Sequence, residues 1–338
     1  MKRKLQFALL FVVACSNPEK DAGINLAPPP EDRTGFTELK PRGFEINYNK
    51  EFLSAREAPL GESEIVIGVE SDGQSRAYPV NFMPGPLSGV VNDHLGKKNI
   101  AVTWSPVYYC GIAYHRDIDG RPFHFGVLGM ENGSMVLYDR QTRSRWNHLA
   151  GKAVSGKMVG EKLRALPTSL TTWKQWRENH PETTVYVNRS VQYEPLFSAA
   201  TFREVVTRNE GKTLGSTDLV LALEGHARAK AYPLKRLIDE PILNDTFEEI
   251  PLLVTHSNDI STARIYDRRV DGRTLTFKRS WFGNKLVDTE TGTEWDVSTG
   301  AAVDGELLGQ TLNPIPATQV LWFAWKGYRP DTVIHGDS

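Results

Sequence analysis

The chain has 338 residues, and its 40 basic and 41 acidic side chains give a formal net charge of −1. A chain of this length forms either one large domain or two domains of ordinary size. The balanced charge argues against nucleic acid as a partner, because proteins that bind nucleic acid carry a basic excess. Hydrophobic residues make up 40% of the chain, which is enough for a substantial core.

The first 15 residues have the pattern of a bacterial lipoprotein signal peptide. The basic residues Lys2, Arg3 and Lys4 precede an apolar run over 5–14, which is too short to cross a bilayer. The run ends in Val-Val-Ala followed by Cys15, which resembles a lipoprotein cleavage box. Cys15 is therefore predicted to become the lipidated N-terminus. The alternative is an ordinary secretory signal in which the cysteine occurs by chance.

This signal predicts a protein of the cell envelope that is anchored to the membrane by its lipid. Ser16 follows the cysteine in place of aspartate, which resembles the sorting pattern for the outer membrane, facing the periplasm, in Gram-negative cells. Residues 16–42 are rich in proline and charge and poor in aromatic residues, so they are predicted to form a tether. A further partner, a small molecule or a protein, is expected but not identified by the sequence.

Cys110 is the second of the two cysteines in the chain. If Cys15 carries lipid, Cys110 has no partner in the chain with which to form a disulfide. Its thiol is then either buried and inert or accessible and reactive, and burial is the favoured interpretation.

Alternating apolar residues predict a series of short strands from residue 64 onward. They include 65–69, a strand that ends at Ala77-Tyr78-Pro79, and 100–104. Asp119-Gly120 lies between two further alternating runs. This dipeptide is typical of a type I′ hairpin turn, because both of its central residues have positive φ.

A helix is predicted over 169–179. Leu170, Trp173 and Trp176 recur there at helical spacing. His180-Pro181 ends the helix, since the residue before a proline avoids the helical region.

The pattern of the first part of the chain recurs after about 150 residues, a separation of domain size. Ala77-Tyr-Pro matches Ala231-Tyr-Pro, the two Asp-Gly turns begin at Asp119 and Asp271, and Trp146 matches Trp295. The sequence separation between matching residues stays constant within blocks and changes at loops, which is typical of tandem duplication. The sequence therefore predicts a β-rich α+β fold with two tandem-duplicated antiparallel β domains, each closed by a short helix.

The predicted boundaries follow from this repeat. Residues 1–15 form the signal peptide and lipidation site, 16–42 the tether, 43–188 the first repeat, 189–217 a linker and 218–338 a second, diverged repeat.

A set of short motifs runs through the first repeat. In chain order they are Arg76-Ala-Tyr-Pro, Val91-Asn-Asp, Val102-Thr-Trp-Ser-Pro, Gly111-Ile-Ala-Tyr, Asp119-Gly-Arg, Tyr138-Asp-Arg-Gln-Thr and Trp173-Lys-Gln-Trp. Together they resemble the DUF3179 family, a bacterial domain of unknown function. Their order and spacing fit the family over 64–187, and the second repeat fits it more loosely. The resemblance implies membership of the family and no particular activity.

The chain departs from that family at one place. Similar sequences often carry Cys-Pro-Leu-Cys where this chain has Ser105-Pro-Val-Tyr108, and a His-Glu pair where it has Ser88-Gly89. In such relatives the resemblance implies a metal or redox site made of a histidine and two cysteines. This chain is expected to have lost or rebuilt that site, and Cys110 is the residue available for rebuilding it.

His115 and His124 flank the Asp119-Gly120 turn. Counting outward from a two-residue loop places them opposite each other, with Cβ atoms about 5 Å apart, which is close enough to share zinc or copper. Strand parity, however, puts Cys110 on the aromatic face with Tyr114 and both histidines on the other face, unless a bulge intervenes. No cofactor is therefore predicted, and the metal site on the two histidines remains the alternative.

Two further motifs have structural interpretations. Asn92-Asp93 recurs as Asn244-Asp245, which fits turn capping as well as ligand binding. Tyr138-Asp139-Arg140 is interpreted as a turn in which Arg140 pairs with Asp139.

The leading functional hypothesis is a lipid-anchored, noncatalytic binding or accessory protein. No phosphate-binding loop, paired-carboxylate motif or nucleophile elbow is visible in the sequence. The alternative is a metal- or thiol-dependent enzyme, or a metal-binding protein, that uses Cys110 with His115 and His124. The candidate binding residues are Asn92, Asp93, Ser105, Tyr108, Cys110, His115 and His124.

Overall fold

The computed structural model describes residues 36–38, 50–85, 87–131, 133–207, 214–257, 262–280 and 285–337. Cys15, the signal peptide and most of the predicted tether lie outside these residues. The described part is β-rich, with several separate sheets and four helices, which confirms the coarse fold class. None of its helices is long and apolar enough to cross a bilayer.

The first half of the molecule comprises β1 and residues 50–188. Its strands and helix are β1 (Phe36–Glu38), β2 (Glu51–Ser54), β3 (Ile65–Ser71), β4 (Gln74–Pro79), β5 (Val90–Leu95), β6 (Lys98–Ser105), β7 (Cys110–His115), β8 (Asp117–Ile118), β9 (Arg121–Pro122), β10 (Phe125–Glu131), β11 (Ser134–Asp139), β12 (Arg145–Asn147), β13 (Lys152–Ser155), β14 (Ala165–Leu166), β15 (Thr168–Thr172), α1 (Trp173–Asn179) and β16 (Thr184–Val187). A single 3₁₀ turn, Val80–Phe82, follows β4. Helix α2 (Ala199–Thr207) lies in the segment that leads to the second half.

The second half comprises residues 218–337. Its elements are β17 (Leu219–Glu224), β18 (Ala229–Pro233), α3 (Leu234–Asp239), β19 (Ile242–Phe247), β20 (Ile250–His256), β21 (Ala263–Asp267), β22 (Arg269–Val270), β23 (Arg273–Thr274), β24 (Phe277–Arg279), β25 (Lys285–Asp288), β26 (Glu294–Asp296), β27 (Ala302–Asp304), β28 (Asn313–Ile315), β29 (Thr318–Leu321), α4 (Trp322–Tyr328) and β30 (Val333–Ile334).

The sheets of the two halves have corresponding strand orders, and the first half has the additional edge strands β2 and β1. The first half has sheets ordered β15-β3-β4-β16-β2, β14-β7-β6-β5 and β1-β10-β11-β12-β13, and the hairpin β8-β9. The second half has sheets ordered β29-β17-β18-β30, β28-β21-β20-β19 and β24-β25-β26-β27, and the hairpin β22-β23. The Asp119-Gly120 turn joins β8 to β9 with positive φ at both residues, as expected for type I′. The duplication itself stays a prediction.

The prediction of purely antiparallel sheets was wrong in one respect. Among the described strands, each half contains one parallel pair, β16 with β4 and β18 with β30. Helices α1 and α4 return the chain along the sheet, so the strand that follows each helix runs in the same direction as the strand before it.

The prediction of a helix over 169–179 was wrong at its N-terminal end. Helix α1 begins at Trp173, with Thr172 as its N-cap, and ends before His180. Residues 168–172 form β15 instead, and Leu170 lies opposite Ile67 of β3. Pairing with β3 satisfies the backbone of this threonine-rich segment, so tertiary context overrides the helical spacing of its apolar residues.

Helix α1 packs against β3 through a close approach of an indole ring to the backbone. Trp173 and Trp176 are buried, and a Cβ atom on Gly68 would lie 2.1 Å from the Trp176 ring. Trp176 Nε1 donates to Thr183 Oγ1 at 2.9 Å. Glycine at 68 is therefore required for the helix to reach the sheet.

The two halves share their hydrophobic core. One cluster joins Ile67 and Tyr78 of the first half to Leu221 and Leu252 of the second. Another joins β7 and β11 to residues of β17, β18, β29 and α4. The second half therefore covers apolar faces of the first.

Corresponding side chains make corresponding hydrogen bonds in the two halves. Tyr78 and Tyr232 donate to Asp93 and Asp245, at 2.6 and 2.8 Å; Trp146 and Trp295 donate to Asp139 and Asp288, each at 2.9 Å; Trp176 and Trp325 donate to Thr183 and Thr332, each at 2.9 Å. These bonds identify corresponding positions in the two halves independently of the spacing of the repeat in the sequence.

Candidate functional site

The turn between β6 and β7 holds three of the predicted site residues. Ser105 lies opposite Cys110 in the ladder, and Tyr108 lies in the turn between them. All three are buried. The turn contacts the second half, because Tyr108 O accepts the Leu321 N–H at 3.0 Å and the Tyr108 ring lies 5.7 Å from that of Phe323. The structure thus brings these residues together inside the packed core.

Cys110 is a free, fully buried thiol, which confirms the favoured interpretation of the sequence. The register between β6 and β7 is continuous, so no bulge changes the parity of β7. Cys110 packs in a cluster with Tyr114 and Phe125, whereas Ala113 packs in the cluster on the other face. Burial raises the pKa of the Cys110 thiol, so little reactive thiolate is available at neutral pH.

His115 and His124 are not paired across the hairpin, which corrects the expected register. The β8–β9 ladder ends at Asp117 and Pro122. His115 belongs to β7 and pairs with Ile100 of β6. The hairpin is therefore a short ladder of its own, and the chains on either side of it continue into different sheets.

The two histidine rings also have different partners. Arg164 Nη2 lies 3.0 Å from His115 Nε2, and Gln141 Nε2 lies 3.1 Å from His124 Nδ1. Burial and the Arg164 charge lower the pKa of His115, and burial and the Arg116 charge lower that of His124. In the part of the chain that the structure describes, no group of three or more histidine, cysteine, aspartate or glutamate side chains could hold a metal ion.

Asn92 fixes the backbone of β10. Its Nδ2 donates to Phe125 O at 2.7 Å, and its Oδ1 accepts the Phe125 N–H at 2.8 Å. Asn244 makes the same two bonds to Phe277 in the second half. Both side-chain atoms are thereby used within the fold, which supports the structural interpretation of this residue.

Asp93 is a buried carboxylate surrounded by donors. It accepts hydrogen bonds from Arg76 Nη1 at 2.5 Å and Tyr78 OH at 2.6 Å. Lys50 Nζ lies 3.8 Å from it and donates to Asn92 O. Burial lowers the pKa of Lys50, and the Asp93 charge opposes this shift.

Arg116 is a buried cation that sequence reasoning missed. It is 6% exposed, and its guanidinium donates to the carbonyl oxygens of Asp93, Ile100 and Phe123. Arg268 makes the corresponding bond to Leu275 O in the second half. The recurrence of arginine just before both Asp-Gly hairpins was the signal in the sequence that could have identified it.

His148 is a second buried group that the sequence did not reveal. Thr103 donates its hydroxyl to Ile112 O at 2.7 Å, so its oxygen accepts from His148 Nε2, also at 2.7 Å. Burial lowers the pKa of His148 to about 3, so the ring is neutral. Val297 occupies the corresponding position in the second half, so this polar group is specific to the first half.

Asp139 organises the turn after β11 by accepting several hydrogen bonds. Asp139 is fully buried and accepts hydrogen bonds from Thr142 N at 2.6 Å, Ser144 N at 3.1 Å and Trp146 Nε1 at 2.9 Å. These neutral donors come from the turn and the adjacent strand.

A cleft with a volume of about 430 Å³ lies where the two halves meet. The first half contributes β7, β14 and the loop before β14, and the second half contributes β17, β29 and α4. Its apolar lining includes Ile112, Leu163, Leu166, Ala222, Ala317 and Trp325. Sequence reasoning missed this cleft because it joins segments that are far apart in the chain.

Charged groups lie at the mouth of the cleft. Glu224 accepts from Lys162 Nζ at 3.0 Å and from Tyr328 OH at 2.7 Å. A second cavity, of about 470 Å³, shares the Lys162-Leu163-Arg164 wall and reaches His115. His115 is the predicted candidate that lines this second cavity.

The fold and these sites define a β-rich protein whose two halves have corresponding strand orders and share a core. The chain belongs to the DUF3179 family, described as a protein of unknown function, whose model matches residues 47–332. This match confirms the resemblance drawn from the motifs of the first repeat. No match was found among curated proteins or among solved structures.

Proposed function

We propose that the protein is a noncatalytic binding protein of the cell envelope, anchored by lipid on Cys15, whose ligand occupies the cleft between the two halves. The observation that carries the proposal is the cleft itself. Its volume of about 430 Å³ lies in the range of small-molecule sites, which are concave and mostly apolar with a few polar groups.

The arrangement of groups in the cleft suits an apolar ligand with a polar end. Ala222, Leu166 and Trp325 offer an apolar wall, and Lys162, Arg164 and Glu224 lie at the mouth. An apolar body would gain from burial against this wall, and the charged groups would orient its polar end.

A noncatalytic role is supported by the separation of the residues that the alternative requires. Cys110 lies in the packed core with a raised pKa. His115 lies in β7, whereas His124 lies between β9 and β10, and the two rings have different partners. An enzyme with a thiol nucleophile needs a base within hydrogen-bond reach and access for substrate.

The test is a fluorescence titration with 8-anilinonaphthalene-1-sulfonate, which has an apolar body and an anionic end. We expect one saturable site in the native protein and its loss in Ala317→Trp, which places a large ring in the cleft. Ala58→Trp is the matched control, because Ala58 is half-buried and packs against a different cluster. Absence of a saturable site, or equal effects of the two variants, would refute the cleft as the binding site.

The anchor is supported by the basic start, the short apolar run and the Val-Val-Ala-Cys15 sequence. Mass spectrometry of the mature protein is expected to find an acylated N-terminal Cys15. An unmodified N-terminus at another residue would remove the lipid anchor from the proposal and leave the cleft test unaffected.

We also propose that the two halves arose by tandem duplication of a domain. The recurring strand orders and the paired Trp–Asp, Trp–Thr and Tyr–Asp bonds support this origin. In an experimental structure, superposition of the two halves is expected to place Tyr114 on Tyr266 and Trp146 on Trp295. Failure of the two Asp-Gly turns to coincide would contradict the duplication.

A further inference from the structure

One corner of the first half carries more positive charge than the corresponding corner of the second half. We refer to it as the β10 corner, and it consists of Lys50, Arg76, Asp93, Arg116 and His124. Asn92 connects its parts, because its backbone oxygen accepts from Lys50 and its side chain fixes Phe125, the residue after His124.

The cations of the β10 corner outweigh its carboxylate. Arg76 and Lys50 both lie against Asp93, at 2.5 and 3.8 Å. Arg116 is buried, its guanidinium bonds to carbonyl oxygens, and the charges of Asp117 and Asp93 act on it without direct contact. The three cations Lys50, Arg76 and Arg116 therefore face two carboxylates. A buried charge without a contacting counter-ion is unfavourable, and a bound anion would reduce that cost.

The second half provides an internal comparison for His124. The backbone N–H of His124 donates to Gln141 Oε1 at 3.0 Å, and that of Thr276 donates to Glu290 Oε2 at 2.7 Å. The same backbone bond is therefore accepted by a neutral amide in the first half and by a carboxylate in the second. At this place the first half has the His124 imidazole and the neutral Gln141 amide. The second half has the Thr276 hydroxyl and the Glu290 carboxylate.

The side chains around His124 are also more basic than those around Thr276. Arg140 N–H donates to His124 O, and Thr289 N–H makes the same 2.9 Å bond to Thr276 O, so a basic side chain corresponds to a neutral one. In the second half, Lys230 pairs with Asp245 at 2.5 Å, and the charges of Glu290, Asp245 and Asp267 act on Arg268. The second half thus has a balanced corner at the equivalent place.

Two donors of the β10 corner, Lys50 and His124, are partly exposed. Gln141 Nε2 donates to His124 Nδ1, so the neutral ring carries its proton on Nε2. Lys50 retains 25% side-chain exposure, and His124 is half-buried. Lys50 Nζ donates to Asn92 O and keeps two further N–H groups. His124 comes from a different segment, and the Arg76 and Arg116 forks are occupied by protein acceptors.

We propose that the β10 corner binds the phosphate group of a ligand, with Lys50 and His124 as its direct contacts and buried Arg116 as a source of positive potential. A compact, multiply charged phosphate can be bound by point charges such as the Lys50 ammonium, and neither arginine here has a free guanidinium fork for bidentate pairing with an anion. This site is distinct from the cleft, so it does not depend on the function proposed above.

The experiment measures binding of inorganic phosphate to the full chain by calorimetry at low ionic strength, where exposed charges are screened least. Lys50→Gln and Gln141→Glu are each expected to weaken binding roughly tenfold, equivalent to about 1.4 kcal/mol. Gln141→Glu is the sharper variant, because Glu290 shows that a glutamate can accept the same backbone bond. Lys278→Gln, an exposed lysine of the second half, is the control for net charge.

A parallel arm uses vesicles of phosphatidylglycerol to distinguish a lipid headgroup from a soluble phosphate. Binding in either arm that is lost in Lys50→Gln and Gln141→Glu and retained in Lys278→Gln supports the site and identifies the source. Unchanged thermal midpoints would show that the variants are folded. Failure of both arms, or equal weakening by the Lys278→Gln control, would overturn the proposal.

Discussion

Cys110 illustrates how strand parity decides the chemistry of a residue. Its side chain lies in the cluster of Tyr114 and Phe125, and burial raises the pKa of its thiol. Native protein is therefore expected to react with a thiol reagent at least about a hundredfold more slowly than unfolded protein, because thiolate and access are both scarce.

The measurement is the rate of labelling with and without denaturant. Elemental analysis of the purified protein is the companion measurement, and no stoichiometric zinc or copper is expected. Rapid labelling of the native state, or bound metal that disappears when Cys110 or His115 is replaced, would favour the metal- or thiol-dependent alternative.

His148 predicts a dependence of stability on pH. Its pKa is about 3 in the folded state, against about 6.5 for a histidine in the unfolded chain. Between these values the unfolded chain binds a proton that the folded protein excludes, so stability falls as pH falls below about 6.5. This residue alone is expected to lower the free energy of unfolding by roughly 2 kcal/mol between pH 7 and pH 5.

The variant His148→Val isolates this effect, because valine occupies the corresponding position 297 in the second half. Urea unfolding at several pH values is expected to show a shallower loss of stability in the variant than in the original protein. Parallel pH profiles for the two proteins would show that His148 is protonated in the folded state as well.

The Asp139 and Asp288 turns give a matched prediction about two corresponding elements. Each carboxylate accepts a threonine N–H at 2.6 Å and a tryptophan Nε1 at 2.9 Å. Asp139→Asn and Asp288→Asn both replace an acceptor with a donor that faces other donors. Each is expected to reduce the free energy of unfolding by about 2–3 kcal/mol.

The measurement is the urea midpoint of each variant. Asp119→Asn is the control, because Asp119 lies in an exposed turn with positive φ, where asparagine is tolerated. Its effect is expected to stay within about 0.5 kcal/mol. If only one of the two variants lost stability, the two turns would have the same geometry but would contribute differently to the free energy of unfolding.

Local patterns predicted the elements whose conformation is set by nearby residues. The Asp119-Gly120 turn formed as expected because its positive φ angles depend on the turn residues themselves. The strand at Leu170 was missed because its pairing with Ile67 is a distant contact. Apolar spacing over so few residues fits either a strand or a helix.

The candidate site was harder to predict for the same reason. Arg116 and Lys50 would ordinarily be assigned to the surface, and only the fold brings them to Asp93. Counting along one hairpin placed His115 opposite His124, but the ladder ends before either residue. The cleft needs both halves, so no local pattern contains it.

At the scale of the whole molecule, the two halves cannot be separated without exposing apolar surface. Tyr108 O accepts from Leu321 N, and Thr262 Oγ1 donates to Thr171 Oγ1 at 2.7 Å, so hydrogen bonds also cross the junction. The predicted boundaries 43–188 and 218–338 divide a shared core. A repeat in sequence therefore need not be an independent folding unit.

The shared core predicts one cooperative unfolding transition for the entire chain. Leu221 of the second half is 1% exposed and packs in the same cluster as Ile67 and Tyr78 of the first half. Leu221→Ala is expected to reduce the free energy of unfolding by about 2–5 kcal/mol, because it leaves a cavity in that cluster. Tryptophan fluorescence and circular dichroism are expected to shift together to the same lower urea midpoint, as in a two-state transition.

A fragment of residues 43–188 is expected not to fold alone, because β17, β29 and α4 would no longer cover the Cys110 face of its sheet. Two separate transitions in the full chain, with only one of them shifted by Leu221→Ala, would contradict this prediction. So would a folded fragment with a sharp transition of its own. Either result would mean that the contacts across the junction contribute little, and that each half is stabilised by its own sheets.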